Sequence, residues 1–203
     1  IISPMKAMDL INEETLLICV DNHKPTLAIS EEVIDKADKV VVIDHHRRGE
    51  DFMDSPILTY LEPAASSTVE LIVELFEYQR VEIEVLPMEA TVMYAGMLID
   101  TNYFRTHVVS RTFQVASKLK EMQANVSKAY EILQDDYKTT LEKMNISANA
   151  YRFGNDALIA YGNEEDIHTR PLLAKVGNEL LNISEIKAVF VVGRIDKDKI
   201  AIS

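Results

Sequence analysis

Two short apolar runs, each closing on an acid with histidine one or two residues behind it, constrain this chain more than any other feature. Leu16-Leu17-Ile18-Cys19-Val20 leads into Asp21-Asn22-His23, and Val40-Val41-Val42-Ile43 leads into Asp44-His45-His46. The run of four β-branched residues Val40–Ile43 predicts a strand buried on both faces of a parallel sheet, and Leu16–Val20 predicts a second strand. Both acids then fall at the carboxyl ends of strands, where open α/β sheets bind their ligands. A third acid, Asp100, closes the stretch from Pro87 to Ile99, in which Met88, Thr91, Val92, Ala95 and Leu98 repeat at helical spacing. An acid there faces the negative end of the helix dipole, an unfavourable position that a nearby cation would relieve.

Taken singly, each of these residues has a plain structural role. Asp21 and Asp44 could start turns, His45 and His46 could be surface residues, and Asp100 could be an ordinary helix-terminal acid. Together they predict three carboxylates and two or three imidazoles converging, a donor set suited to divalent transition metals. Arg47 and Arg48 follow at once and offer planar cations matched to phosphate oxygens. Ser66 or Ser67 is placed as a helix N-cap, with Glu70 three residues after Ser67 as in a capping box. A helix N-terminus also attracts anions, so capping and phosphate contact are compatible there.

With 203 residues and 47% apolar content the chain can bury one good core or two small ones. Strands alternating with helices indicate α/β architecture. No apolar stretch approaches the ~20 residues of a membrane span and no signal-peptide pattern is visible, which predicts a soluble segment. Cys19, the single cysteine, excludes an internal disulfide and fits a reducing compartment. The net charge of −12 argues against non-specific binding along a nucleic-acid backbone. Lys24, Arg47, Arg48, Arg105 and Arg111 nevertheless fall beside the predicted site, which favours a small anionic ligand over a long polyanion.

Patterning predicts strand 16–21, helix 30–38, strand 39–44, a short strand 57–61, and helices 67–79, 87–99 and 111–123, with further helical segments from 126 to 148. After Tyr151 the pattern restarts with strand 157–161, helix 168–182 and strands 188–195 and 199–203, the last two joined as a hairpin by Asp196-Lys197-Asp198.

Five ordered motifs carry a resemblance: Val20-Asp21-Asn22-His23-Lys24-Pro25, Ile43-Asp44-His45-His46-Arg47-Arg48-Gly49-Glu50, Ala65-Ser66-Ser67-Thr68, Ala95-Gly96-Met97-Leu98-Ile99-Asp100-Thr101 and Ser110-Arg111-Thr112-Phe113. This set resembles the DHH phosphoesterase superfamily. Its Arg-Arg-Gly-Glu continuation most resembles the bacterial cyclic-di-AMP phosphodiesterases that carry a DHH domain followed by a DHH-associated domain. The likeness runs through essentially the whole chain, strongest from Asp21 to Phe113 and weaker after Asn125. It implies an α/β fold: a parallel-sheet DHH domain over 1–125, a helical connector over 126–150, and a smaller, incomplete α/β DHH-associated substrate-binding domain over 151–203.

The resemblance also implies chemistry. The expected activity is manganese-dependent hydrolysis of cyclic di-AMP to linear pApA, with two divalent ions activating water and clamping the displacement. Asp21, His45 and Asp100 are the implied metal ligands, Asp21 bridging both ions. Asp44 and His46 are the implied catalytic pair, Asp44 orienting an imidazole and His46 passing a proton to the leaving oxygen. Arg47, Arg48, Ser66 and Ser67 are expected to contact substrate. Adjacent residues leaving a strand project in different directions, so His45 and His46 are expected to serve different partners. Alternatives within the superfamily are a short-oligonucleotide exonuclease or a pyrophosphatase, and from another class a non-catalytic nucleotide sensor. The implied partners are a cyclic dinucleotide or short nucleotide, with no long nucleic acid, no membrane contact and a homodimer admitted; the implied place is a cytoplasmic domain of a membrane-anchored bacterial protein. The family's first motif, a histidine with two aspartates, is expected upstream of Ile1 and its glycine-rich closing segment beyond Ser203. These 203 residues alone are therefore expected to be inactive or impaired.

Overall fold

Val40, Val42 and Ile43 are buried because their strand, β2 (Lys39–Asp44), is the middle of three. The computed structural model describes residues 1–81 and 83–203. β1 (Leu16–Val20) and β3 (Leu58–Leu61) flank β2, both parallel to it. The register pairs Val20 with Ile43, so Asp21, just past β1, and Asp44, the last residue of β2, fall at the same level of the sheet. The crossover between them carries α2 (Glu31–Lys36), whose N-cap Ser30 accepts from Val33 N–H. An unpredicted helix, α1 (Pro4–Leu10), precedes β1; Ser3 caps it and Pro4 opens it, a start signal present in the sequence.

β1 is buried on one face only. Leu16, Ile18 and Val20 are each about half exposed, at 49%, 52% and 52%, while Leu17 and Cys19 pack against Ile34, Val40, Val42 and Met53. Among the described residues β1 is an edge strand, paired only with β2 and covered on one side.

On the sheet lies α3 (Thr68–Phe76), where Ile43, Ala65 and Leu71 bury one another. Then come α4 (Pro87–Asp100), α5 (Ser110–Glu121) and α6 (Val126–Ile132). Val73, Ala90, Met97, Val115, Leu119 and Ala124 form the core that α3, α4 and α5 share, and Ala129 of α6 packs with Ala95 and Leu98 of α4. These elements make a first compact unit, Ile1–Leu133.

The second unit, Gln134–Ser203, is built on a four-stranded sheet of order β4 (Tyr151–Phe153), β5 (Ala157–Tyr161), β6 (Ala188–Asp196), β7 (Lys199–Ile202). β5 and β6 are parallel and joined through α8 (Arg170–Leu180), while the two outer strands run antiparallel. Ala160, Leu172, Leu173, Val176 and Val191 form its core with Ile146 of α7 (Tyr137–Ala148). Gly193 is required by that packing, since a β-carbon there would come within 2.7 Å of Leu173 Cδ2. The segment expected as a connector, 126–150, is divided: α6 packs on α4 in the first unit, and α7 packs on α8 in the second. No described helix is long and apolar enough to cross a membrane.

Candidate metal centre

Asp21 ends β1 in the left-handed region, at φ +59°. Aspartate tolerates that conformation better than most residues, and backbone strain of this kind concentrates at functional sites. Its N–H still donates to the Ile43 carbonyl at 3.0 Å, continuing the ladder by one step. Its carboxylate swings to accept the Thr68 hydroxyl at 2.8 Å, at the first residue of α3. His45, just past β2, lies with Nδ1 3.4 Å from the Ala65 carbonyl. With Nδ1–H on that side, Nε2 is the lone-pair nitrogen, and it faces Asp21 Oδ1 at 3.5 Å and Asp100 Oδ2 at 4.0 Å. Three separate segments thus bring two carboxylates and an imidazole to one point at the carboxyl end of the parallel sheet.

The electrostatics of that point favour a cation. Burial, and then the neighbouring charge of Asp21, push the Asp100 carboxyl above the usual carboxylate range, and His45 and His46 offset this only in part. Donor atoms sharing one divalent ion at about 2.0–2.2 Å each lie on the order of 3–3.5 Å apart, close to the spacing here. Ligand atoms of Asp21, His45 and His46 all lie within 4.8 Å of one another, whereas Asp100 meets this group at His45. The donor set therefore fits a divalent ion.

His46 is closer to this cluster than its sequence position implies. The His45 and His46 rings do not diverge; their centroids are 4.5 Å apart at 53°. β2 has ended at Asp44, so the alternation that sends neighbouring strand residues to opposite faces no longer applies. Asp44 itself is fully buried and holds two imidazoles, His23 Nδ1 on Oδ2 at 2.5 Å and His46 Nδ1 on Oδ1 at 2.7 Å. His46 N–H adds a bond to Oδ1 at 3.1 Å. Burial alone would raise the Asp44 carboxyl, but the bonds from His23 and His46 outweigh it and hold it below its usual range. The imidazoles that Asp44 orients are those of His46 and His23, not that of His45.

The expected substrate contacts separate into two groups. Arg47 and Arg48 are exposed, and the Arg48 guanidinium lies 4.2 Å from the centre of the Phe52 ring. Ser66 and Ser67 are buried and turned to their own segment. Ser67 Oγ accepts from Glu70 N–H at 3.4 Å as the N-cap of α3, and Ser66 gives its hydroxyl and its N–H, the latter at 3.2 Å, to the Glu70 carboxylate. Glu70 is itself fully buried and takes Arg111 Nε at 3.2 Å. The expected capping box is therefore half formed, its carboxylate closing on Ser66 rather than on the Ser67 backbone.

Sequence reading missed Thr68, the partner of Asp21, and the node at His23. The latter had a signal, since it stands two residues after Asp21 in a motif parallel to Asp44-His45-His46. His45, Ser66 and Asp100 also line a cleft of about 610 Å³ together with Arg105 and His107.

Comparison with known proteins gives this arrangement its relatives. Residues 3–97 match the DHH family, N-terminal domain. The chain is 40% identical over 202 residues to cyclic-di-AMP phosphodiesterase GdpP of Geobacillus thermodenitrificans, covering 100% of this chain and 31% of that protein. It is 38% identical over 192 residues to cyclic-di-AMP phosphodiesterase PdeA of Listeria monocytogenes, covering 95% and 29% respectively. The chain thus spans about a third of the length of these relatives. Among solved structures, an exopolyphosphatase-related protein from Bacteroides fragilis superposes with a TM-score of 0.83 at 20% identity, over 98% of this chain and 60% of that one, a likeness of fold. Residues 3–97, which carry the Asp-His-His triplet, thus match the N-terminal domain of the DHH family, and the identities to these relatives extend the likeness over the rest of the chain.

Proposed function

We propose that the protein is a divalent-metal-dependent phosphodiesterase that hydrolyses cyclic di-AMP to linear pApA. The observation that carries this reading is the convergence of Asp21, His45 and Asp100, with His45 Nε2 3.5 and 4.0 Å from the two carboxylates. The substrate comes from the relatives, which are named for cyclic di-AMP. Residues 151–203 would serve as a DHH-associated, substrate-binding domain.

Asp21, His45 and Asp100 would hold the ion, and the Asp21 side chain is 53% exposed to solvent. Manganese suits a mixed imidazole and carboxylate set. Bound there, divalent ions lower the pKa of water and clamp the oxygens of a phosphodiester displacement. The Ala65 carbonyl orients His45 so that its free nitrogen faces the two acids. Asp44 accepts the Nδ1–H of His46, which leaves Nε2 to carry the proton that is given to the leaving oxygen. Arg47 and Arg48 would take the phosphate oxygens, and the Ser66-Ser67 turn, held by Glu70, shapes the neighbouring wall. The ligands described serve one ion, so hydrolysis by these 203 residues alone is expected to be weak.

Turnover of cyclic di-AMP, pApA and pyrophosphate by the full-length protein with manganese tests the reading. Preferred cleavage of cyclic di-AMP supports it. Preference for pApA would make the protein an exonuclease of the same superfamily, and metal-independent binding without cleavage would make it a sensor.

A further inference from the structure

His46 and Arg48 lie on a segment, residues 45–53, that has no helix or strand of its own. The residues following β1 hold it in place. Met53 N–H donates to the His23 carbonyl at 3.0 Å, and the Thr26 hydroxyl donates to Asp51. The His23 ring lies 5.4 Å from the Phe52 ring, the same ring that carries the Arg48 guanidinium. At the ring's polar edge, His23 Nδ1 meets Asp44 Oδ2 at 2.5 Å, leaving Oδ1 to His46.

The His23 ring is 1% exposed, and its Nε2 has no hydrogen-bond partner among the described residues. Its one side-chain hydrogen bond goes to Asp44, the carboxylate that aligns His46.

We propose that His23 is a positioning residue with two outputs: it pins Asp44 so that His46 presents Nε2 to the leaving oxygen, and it backs the Phe52 ring so that Arg48 is held for the phosphate. This rests on the phosphodiesterase reading. Two substitutions separate the outputs. His23→Phe keeps a ring against Phe52 and loses the bond to Asp44; His23→Asn keeps an amide donor for Asp44 and loses the ring.

The test measures kcat and KM for cyclic di-AMP in the full-length protein with manganese, alongside manganese content. It adds the ¹⁵N imidazole spectrum of His46 in the metal-free protein. His23→Phe is expected to lower kcat about 10–100-fold, the usual loss when a supporting partner of a site is removed, with KM within about twofold. His46, a single Nδ1–H tautomer in the wild type, should become a mixture in that variant. His23→Asn is expected to keep kcat and the tautomer and to raise KM on the order of tenfold, with manganese content unchanged in both. An unchanged tautomer in His23→Phe, or equal effects of both variants on kcat and KM, overturns the proposal. Should His23→Phe fail to fold, an unchanged KM in His23→Asn overturns it. A wild type that cleaves no phosphodiester defeats the phosphodiesterase reading instead, while the tautomer of His46 still decides the role of His23.

Discussion

Asp135 of the second unit and Asp100 of the first are the same residue in opposite circumstances. Asp135 takes Lys175 on one oxygen and Lys143 on the other at 2.9 Å, and Lys143 also reaches Glu179. The Lys175 bond, against a smaller opposing effect of burial, holds the Asp135 carboxyl below its ordinary range, and Lys143 adds to this. Asp100 is buried beside another carboxylate and is pushed the other way. The difference teaches which charges serve stability and which are reserved. A paired acid strengthens its own fold; an acid kept beside its like weakens it until a cation arrives.

The linkage has opposite signs in the two places. Asp135, lowered, contributes stability that is present above its unfolded value of about 3.8 and is lost as pH falls through the lower folded value. Asp100, raised, favours the protonated folded state, so its contribution is present below about 3.8 and is lost as pH rises through the raised value.

The comparison breaks first at the proposed metal ligands. Asp21→Ala or Asp100→Ala should abolish hydrolysis in the full-length protein through lost metal, a fall of more than about 100-fold, since even supporting partners of a ligand cost 10–100-fold. Normal turnover with two ions bound in Asp100→Ala would remove that residue from the site. The histidine pair gives the next effect. His45→Ala should lose manganese, whereas His46→Ala should keep it and lose about 10²–10⁴-fold in kcat, the range for a proton-transfer group. Equal metal loss in both variants, checked by metal analysis, would make His46 a ligand as well, consistent with its place in the Asp21, His45, His46 cluster. The smallest effect belongs to the second unit. Lys143→Met should cost about 1 kcal/mol by denaturant unfolding and leave manganese content untouched, because it removes a network of partly exposed pairs. A loss of metal there would mean that the two kinds of acid are not separable.

Much of this contrast is legible in the amino-acid order itself. Apolar runs ending in acids mark β1, β2 and the level of Asp21 and Asp44, and Ser67 announces the start of α3. The exposure of one face of β1 is not legible, because edge and central strands share the same branched residues and differ only in neighbours. Nor is the pairing of Asp44 with His23, which lies 21 residues away and depends on the register of two strands. The approach of His46 to His45 is hidden for a related reason: strand alternation ends where the strand does, and sequence places that end only within a residue or two. In the second unit, β4 has three exposed residues and no apolar pattern to announce it.

The central claim is that Asp100 and its neighbours are held in opposition for a divalent cation, and thermal unfolding at neutral pH, with and without manganese, tests it most directly. At a free concentration about 100 times Kd, manganese should stabilise the wild type by about 2.7 kcal/mol, a rise in Tm on the order of 5–10 °C. Metal-free Asp100→Asn should melt above the metal-free wild type, because the unrelieved charge is gone, and manganese should scarcely move it. A wild type indifferent to manganese, or an Asp100→Asn variant raised by it as far as the wild type, would contradict the account.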